Sequence, residues 1–546
     1  MMPSVTHSAG AADAALDADV VVVGAGFAGL YMLYRLRALG MRAIAFEAAD
    51  DVGGTWYFNR YPGCRCDVES LMYSYSFSEE LRRSWTWSER YAPQAEILAY
   101  LRHVAERFDL RRDIRFSTRV VSAVYDEGRN RWQIATDRGE QVAARFCVMA
   151  SGCLSVPRKP GIPGVDSFAG EWYHTGQWPA AGVDFSGKRV GVIGTGSTGL
   201  QLIPQVAKQA KHLYVFQRTP AYSLPAKNRP LGPGDSAEFN AAYGTLLETM
   251  RHSLTGTLHV MKDQSVLATA PEERERICER LWNEGGAGLM YYFNDIAVDA
   301  AANEEIARFV RRKIKETVKD PATAQALTPT EYPIGTKRIC IDIDYFETYN
   351  RDNVTLVPLA HDPIEKITAH GLRTAHGHYD LDCLVFATGY DALTGALLRI
   401  DIRGAGGESL RDKWQAGPRT YLGLGTAGFP NLFLVTGPGS PSVLSNMVVS
   451  IEQHVDWIAD CLKALHDRKL NRIEPRAEFE EEWMNHVNEI AGHTLFVRAA
   501  SWYMGANIPG KPRVFMPYLG GVGVYRRKCA EVAADGYRGF DLASVD

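Results

Sequence analysis

Apolar runs and glycine-rich turns follow one another in a regular order near the start of the chain. Residues 20–23 form a continuous run of valine, the pattern of a strand buried on both faces of a parallel sheet. The turn 24–29, spaced GxGxxG, follows, and leucine then recurs at helical spacing over residues 30–39. A second apolar run, residues 43–46, ends in Glu47. This order of strand, turn, helix and strand predicts a Rossmann-like unit that binds a dinucleotide.

Each glycine of this turn has its own physical purpose. Gly24 permits the tight turn, Gly26 lets backbone N–H groups approach a pyrophosphate, and Gly29 allows the helix to pack closely against the strand. Glu47 stands about 20 residues further on, where a carboxylate accepts hydrogen bonds from the ribose hydroxyls. The unit therefore fits FAD or NAD.

The same pattern recurs later in the chain with one difference. The predicted strand 189–193 precedes the turn 194–199, and the next strand, 213–216, ends in Gln217 and Arg218. The carboxylate is thus missing, and a guanidinium, which holds phosphate through two hydrogen bonds, takes its place. This second unit fits NADPH, whose 2'-phosphate needs a cation. A surface role for Arg218 is the alternative.

Two similar segments, residues 146–153 and 384–391, flank the second unit, and each is a short apolar strand ending in small residues and glycine. We infer that the chain leaves the first domain at one segment and re-enters it at the other. The predicted fold class is α/β, with two Rossmann-like dinucleotide-binding domains, for FAD and NADP, and a helical insertion. The predicted units are a flexible N-terminal tail (1–18), the FAD-binding domain (19–155 and 389–546), the NADP-binding domain (156–224 and 333–388) and the helical insertion (225–332).

The overall composition narrows the range of partners. The chain has 546 residues, of which 46% are apolar and 23% charged, and its formal net charge is -4. Such a small charge gives no support for binding to nucleic acid. No apolar run reaches the about 20 residues of a membrane-spanning helix, and the first 18 residues lack the pattern of a secretory signal. The basic stretch 308–319 is expected to be a solvated helix face.

The cysteines bear on compartment and on redox chemistry. Nine cysteines at irregular spacing favour reduced thiols in the cytoplasm, and no cluster has the spacing of a metal site, so no metal is expected. Cys64 and Cys66 are only two residues apart, and no CxxC or longer paired spacing occurs elsewhere in the chain, which disfavours a catalytic disulfide. A flavin reduced by NADPH can reduce a disulfide, pass electrons to another carrier or react with oxygen. Because the chain lacks a redox pair of cysteines and the spacing of a metal or iron–sulfur relay, reaction with oxygen is favoured.

Two segments rich in aromatic residues and glycine carry a family resemblance. Residues 53–67 and 168–179 resemble, position by position, the two fingerprints of type I Baeyer–Villiger monooxygenases. Residues 332–354, 417–426 and 500–512 look like the phenylacetone and steroid monooxygenase branches of that family, so the similarity covers nearly the whole chain. The FxGxxxH core is shared with N-hydroxylating and flavin-containing monooxygenases, which usually lack the final Trp-Pro pair. The second fingerprint consists of Phe168, Gly170, His174, Trp178 and Pro179.

The resemblance implies roles for two charged residues far apart in the chain. Arg338 matches the family's catalytic arginine, and Asp67 matches the carboxylate that orients it. The family forms a C4a-peroxyflavin, which must remain an anion to attack a carbonyl, and a nearby guanidinium stabilises that anion and the oxyanion of the adduct. From the residues alone, Asp67 and Arg338 fit a structural ion pair equally well. His174 is expected to be structural or to act in domain motion, with proton transfer as the alternative.

The resemblance also implies the remaining site residues. Those expected at FAD are Gly24, Gly26, Phe27, Gly29, Glu47, Thr55, Trp56, Asp67, Tyr73 and Met447. Those expected at NADP are Thr195, Gly196, Ser197, Gly199, Gln201, Arg218, Thr219, Lys337, Arg338 and Trp502, the last on a lid loop near residues 500–513. A mostly apolar substrate pocket is expected from Cys153, Ser442, Val443 and Leu444.

Together these features predict an FAD- and NADPH-dependent monooxygenase that inserts one oxygen atom of O2 beside a ketone carbonyl to give an ester or lactone, with NADP+ retained during the cycle. Hydrophobic aromatic, cyclic or steroid-like ketones are the expected substrates, and sulfoxidation is an expected side activity. The alternatives are a flavin-containing monooxygenase of nitrogen or sulfur and a flavin and NADPH sensor without oxygenation. We expect a cytoplasmic monomer that needs no protein partner, with weak self-association as the alternative.

Overall fold

The computed structural model describes residues 16–545. Most of the tail predicted for residues 1–18 therefore lies outside the described residues. The first strand begins at Ala18, which belongs to the sheet rather than to the tail. In this part of the chain, no helix is long and apolar enough to cross a membrane.

Strands and helices alternate along the described chain. The strands are β1 (Ala18–Val23), β2 (Ala43–Phe46), β3 (Ile114–Arg115), β4 (Val120–Asp126), β5 (Arg131–Thr136), β6 (Gln141–Met149), β7 (Glu171–His174), β8 (Arg189–Ile193), β9 (His212–Gln217), β10 (Ser223–Pro225), β11 (Cys340–Asp342), β12 (Val354–Pro358), β13 (Ile364–Thr368), β14 (Gly371–Thr374), β15 (His378–Asp380), β16 (Cys383–Phe386), β17 (Asp401–Arg403), β18 (Leu432–Leu434), β19 (Arg472–Pro475) and β20 (Phe540–Ala543). The helices are α1 (Phe27–Ala38), α2 (Thr55–Phe58), α3 (Glu79–Ser84), α4 (Gln94–Arg107), α5 (Ser197–Ala207), α6 (Pro233–Ala241), α7 (Tyr243–His252), α8 (Pro271–Glu284), α9 (Gly288–Tyr292), α10 (Ala300–Thr317), α11 (Pro321–Leu327), α12 (Tyr345–Thr348), α13 (Gly395–Leu398), α14 (Leu410–Lys413), α15 (Met447–Asp467), α16 (Ala477–Gly492) and α17 (Val522–Ala534).

The first sheet joins strands from both ends of the chain. Its eight strands follow the order β17, β4, β5, β6, β1, β2, β3, and β18 pairs with β6. β1 lies between β2 and β6 and runs parallel to both, with Val21 opposite Ile44 and Cys147. Its valines are buried because neighbouring elements cover both faces of the sheet. The chain thus leaves this sheet after β6 and returns to it with β17 and β18.

The second sheet is built from the chain between these two passages. Its five strands follow the order β12, β9, β8, β16, β7, and all neighbouring pairs are parallel. β8 lies in the middle and ends at the second glycine turn. Because ligands of open parallel sheets bind at the carboxyl ends of the strands, this edge is where a nucleotide is expected.

Helices α6 to α11 follow one another in the chain between β10 and β11, and these two strands pair with each other. The basic stretch predicted as a solvated face lies mainly in α10, where Phe309, Val310 and Ile314 are buried. Its cations are only partly solvated, because Lys313 pairs with Glu279 of α8 at 2.6 Å. Such pairs, together with the apolar stripe, hold α8 against α10.

Candidate active site

The two glycine-rich turns have nearly the same backbone geometry. Gly24 has a φ angle of 109° and Gly194 one of 110°, a region that other residues rarely adopt. A Cβ atom on Gly29 would lie 1.9 Å from the carbonyl oxygen of Gly24, and one on Gly199 would lie 2.3 Å from that of Gly194. Each helix therefore approaches its strand as closely as only glycine permits.

The middle glycine of each turn borders open space. A Cβ atom on Gly196 would meet no atom within 4 Å, and one on Gly26 would reach only ordinary contact distance, 3.4 Å from Gly54. Helices α1 and α5 start at these turns without a side-chain cap. Their first N–H groups are thus available to an anion, and the geometry fits the pyrophosphates of FAD and of NADPH.

The residues that end β2 and β9 differ in charge and in contacts. Glu47 accepts hydrogen bonds from the backbone N–H groups of Ala25 and Ala49, both at 2.8 Å. Burial raises the pKa of Glu47, and these bonds oppose the rise. Gln217 donates to the carbonyl of Ala326 at 2.7 Å. Gln217 thus ties α11 to the second sheet and places no negative charge where a 2'-phosphate would lie.

Aromatic side chains border the first turn. The ring of Phe27 lies 5.2 Å from that of Tyr73, whose hydroxyl accepts a hydrogen bond from Nε1 of Trp56 at 3.3 Å. Thr55 and Trp56 begin α2 directly after Gly54, which approaches the turn. The structure therefore brings these four predicted FAD contacts together beside the first glycine turn.

Arg338 and Asp67 meet although 271 positions separate them in the chain. Nε and one Nη of Arg338 each lie 3.1 Å from Oδ2 of Asp67, and the other Nη donates to the carbonyl of Val443 at 3.1 Å. Burial raises the pKa of Asp67, and Arg338 opposes that rise. Burial alone would lower the pKa of Arg338, but Asp67 raises it overall. Arg338 is thus a permanent cation held through three nitrogen atoms, and 34% of its side chain remains exposed.

Three cations lie near the second turn without an ion-pair partner among residues 16–545. They are Arg158, Arg218 and Lys337. Burial and the nearby Arg218 lower the pKa of Lys337, and the same two causes lower the pKa of Arg158. Lys337 also lies 4.3 Å from the ring centre of Tyr332. A cluster of like charges is unfavourable by itself and suits a phosphate, which neutralises it.

Other predicted NADP contacts also line this turn, but their side chains already have partners. Thr195 donates to the carbonyl of Thr219 at 3.1 Å, and the hydroxyl of Ser197 lies 3.1 Å from the thiol of Cys340. The side-chain amide of Gln201 contacts the loop 53–67 through both its oxygen and its nitrogen. Its oxygen accepts from the hydroxyl of Tyr61 at 2.8 Å, and its nitrogen donates to the carbonyl of Arg65 at 3.0 Å. Gln201 therefore joins the two domains.

The second fingerprint lies along the edge of the second sheet. Phe168 packs into the core of this sheet, and a Cβ atom on Gly170 would lie only 2.7 Å from its ring. Trp178 is buried against Tyr173, and the carbonyl of Pro179 closes a turn with the N–H group of Gly182 at 3.1 Å. These residues shape the connection between the two domains.

His174 ends β7 and holds two loops together. Its Nδ1 accepts from the N–H group of Gly176 at 3.0 Å, and its Nε2 lies 3.4 Å from the hydroxyl of Thr388. Burial lowers the pKa of His174, so the ring is neutral near pH 7. These contacts agree with a structural role rather than with proton transfer.

Comparisons with known proteins agree with this arrangement. A family model described as flavin-binding monooxygenase-like matches residues 17–234. A Baeyer–Villiger monooxygenase from Pseudooceanicola batsensis is 43% identical over 525 residues, which cover 95% of this chain and 95% of that protein. The chain belongs to the Baeyer–Villiger monooxygenase family.

Two further relatives extend the comparison. The phenazine N-monooxygenase PhzNO1 from Lysobacter antibioticus is 44% identical over 96% of this chain and 97% of that protein. The structure of an oxidized steroid monooxygenase bound to NADP is 53% identical, with a TM-score of 0.93, and covers 97% of this chain and 100% of that chain. This Baeyer–Villiger monooxygenase therefore shares its fold with a solved relative over 97% of the chain.

The predicted pocket residues of this Baeyer–Villiger monooxygenase form one apolar cluster. Cys153 and Val443 are buried in it, and burial raises the pKa of Cys153 to about 11, so the thiol stays protonated. Ser442 adjoins the cluster and donates to the carbonyl of Thr436 at 3.2 Å. Partly buried around them are Leu444, Met447 and Trp502. The cluster lies against Arg338, since the carbonyl of Val443 accepts one of its hydrogen bonds.

The loop that carries Trp502 is anchored to the segment after β16. Lys511 donates to Asp391 at 2.6 Å and to the carbonyl of Ala392 at 2.7 Å, and Asn507 donates to the carbonyl of Tyr390 at 2.7 Å. Three hydrogen bonds therefore fix this loop to the segment after β16.

Two tyrosines that the sequence does not single out border Arg338 in this Baeyer–Villiger monooxygenase. Burial raises the pKa of Tyr503, in the loop of Trp502, and of Tyr291, in α9, and Arg338 opposes both rises. A Cβ atom on Gly335 would lie 2.9 Å from Met290, so α9 packs against the segment that carries Arg338. The only sequence signal is their place in aromatic-rich stretches. Their position follows from tertiary packing.

Proposed function

We propose that this protein is an FAD- and NADPH-dependent enzyme that inserts one oxygen atom of O2 beside a ketone carbonyl, giving an ester or lactone. The observation that carries the proposal is the oriented cation Arg338. It lies near the first turn, since it opposes the burial-induced rise in the pKa of Tyr73. A fixed positive charge beside the flavin face is what an anionic oxygen nucleophile and a carbonyl oxyanion both require.

The residues around Arg338 and those near the second glycine turn both support this reaction. FAD, when bound, supplies the electrons that it receives from NADPH for the activation of O2. Arg338 stabilises the negative charge that develops on oxygen as the carbonyl is attacked. Asp67 and Val443 hold Arg338 in place, so little reorganisation is needed at the moment of reaction. Arg218 and Lys337 provide cations for the 2'-phosphate of NADPH.

The apolar cluster supports hydrophobic ketones as substrates. Cys153, Val443 and Leu444 offer no charge to a substrate next to Arg338, so that recognition depends on apolar contact. Aromatic, cyclic and steroid-like ketones fit this character. We further propose that the enzyme works in the cytoplasm as a monomer, and its nine cysteines, all free and buried, support a reducing compartment.

The similarity to a phenazine N-monooxygenase supports a second activity, oxidation of an aromatic nitrogen. Arg338 favours the ketone reaction, because a cation keeps the oxygen nucleophile deprotonated, whereas oxidation of nitrogen or sulfur uses the protonated form. Membership in a family of flavoprotein monooxygenases leaves no support for a sensor without oxygenation.

The test is a product assay with purified, FAD-loaded protein, NADPH and air. Phenyl, cyclic and steroid ketones, a sulfide and a phenazine are compared by mass spectrometry. Esters or lactones from ketones support the proposal, and an N-oxide as the sole product would favour the second activity. Arg338→Ala should still be reduced by NADPH but form no ester. Ester formation by this variant would remove the role given to Arg338.

A further inference from the structure

Arg158 lies in the segment that joins the two nucleotide domains, and its backbone is held on both sides. Its N–H group donates to the carbonyl of Gly389 at 2.9 Å, and its carbonyl accepts from the hydroxyl of Thr388 at 2.7 Å. The same hydroxyl lies 3.4 Å from Nε2 of His174. A fingerprint residue thus supports the contact that positions Arg158.

This anchoring places Arg158 beside the second glycine turn. Gly389 follows β16, which is one neighbour of β8, and Arg218 follows β9, which is the other neighbour. The end of β16 touches the turn itself, since a Cβ atom on Gly194 would lie 2.4 Å from the carbonyl oxygen of Ala387. Arg158 and Arg218 therefore approach the same turn from opposite sides.

The charge of Arg158 is uncompensated in the part of the chain that the structure describes. Arg218 is close enough to lower its pKa in addition to the effect of burial. By contrast, the adjacent Lys159 is exposed and pairs with Asp166 at 3.0 Å. The two neighbouring cations thus differ, because Lys159 is neutralised at the surface and Arg158 lies close to a second cation, Arg218.

We infer that Arg158 is a specificity-determining residue, which holds the 2'-phosphate of NADPH together with Arg218 and Lys337. The inference rests on the proposed use of NADPH. The 2'-phosphate is preferred to the pyrophosphate because the N–H groups at the start of α5 already serve the pyrophosphate. The adenosine ribose of a dinucleotide, which carries the 2'-phosphate, lies where the second strand of such a unit ends. Arg218 directly follows the end of β9, which is this strand.

The test measures binding alone, by calorimetry on FAD-loaded protein. Arg158→Gln should weaken binding of NADP+ and of 2',5'-ADP on the order of tenfold, the loss of one charge-assisted contact, and leave binding of NAD+ and ADP within about twofold. Arg158→Lys should recover part of the loss. Lys159→Gln removes the same charge one position away and should bind all four ligands like the wild type.

Three outcomes would overturn the inference. They are equal weakening for ligands with and without a 2'-phosphate, unchanged binding in Arg158→Gln, and an equal loss in Lys159→Gln. Flavin absorbance confirms that each variant is folded. If the protein oxygenates no ketone but loses NADP+ affinity as described, the proposed function fails and the role of Arg158 stands. If the wild type binds NAD+ as tightly as NADP+, the proposed NADPH preference fails first.

Discussion

Asparagine in place of Asp67 would keep the volume of the side chain and remove the charge that holds Arg338. Both contacts of Arg338 with Oδ2 are 3.1 Å long, and only the bond to the carbonyl of Val443 would remain unaffected. A charge-assisted hydrogen bond contributes about 1.5–3 kcal/mol. Because 34% of the Arg338 side chain is exposed, water replaces part of the lost interaction. We therefore expect Asp67→Asn to raise the activation free energy of oxygenation by about 2 kcal/mol. That corresponds to roughly a 30-fold slower oxygenation.

Stopped-flow kinetics separate the two halves of the reaction. Reduction of the flavin by NADPH without oxygen should stay within about twofold of the wild type, while kcat for ester formation falls. Asp382→Asn is the control, because it breaks a surface pair with Arg189 of 2.9 Å and should change neither rate. Equal slowing of both steps in Asp67→Asn, or an unchanged kcat, would refute the orienting role. Flavin content is measured in each variant.

Three further perturbations test other parts of the structure. Arg218→Ala should lower the ratio of kcat/KM for NADPH to that for NADH on the order of tenfold or more, and an unchanged ratio would contradict the role of Arg218. Lys511→Met removes two of the three hydrogen bonds that anchor the loop of Trp502 and should raise the KM for NADPH and the release of hydrogen peroxide, whereas unchanged values would exclude Lys511 as an anchor. Burial lowers the pKa of His454 from its ordinary 6.5 to about 3. As the pH falls below 6.5, only the unfolded chain gains a proton at this residue, so the free energy of unfolding decreases as the pH falls. Between pH 7 and 5 the wild type should lose about 2 kcal/mol more of its free energy of unfolding than His454→Asn, and equal losses in urea titrations would contradict this.

The two nucleotide turns follow from sequence because their causes are local. A positive φ angle at Gly24 and the 1.9 Å approach at Gly29 need glycine at fixed spacing, whatever surrounds them. The continuous valine run of β1 likewise reports burial on both faces. The solvation of the basic stretch is less local, since α8 supplies Glu275 and Glu279 as partners of Arg312 and Lys313.

The contact between Asp67 and Arg338 cannot be predicted from local sequence, because 271 positions separate the two residues. Asp67 and Arg338 alone fit a structural ion pair, and the resemblance to a family was needed to rank them as functional. Tyr291, Tyr503 and Arg158 belong to no motif, because each meets its charged neighbour only through tertiary packing. The resemblance predicts Gln201 at NADP, and the structure adds contacts of its amide with Tyr61 and Arg65 on the loop 53–67. Only the folded chain shows these contacts.

The most direct test follows isotopic oxygen from O2 into product. FAD-loaded enzyme, NADPH and a hydrophobic ketone are incubated under 18O2, and the product is analysed by mass spectrometry. An ester or lactone that carries one 18O atom, and its absence with Arg338→Ala, is the predicted result. Consumption of NADPH with hydrogen peroxide as the sole product for every ketone, or an ester without the label, would contradict the proposed reaction.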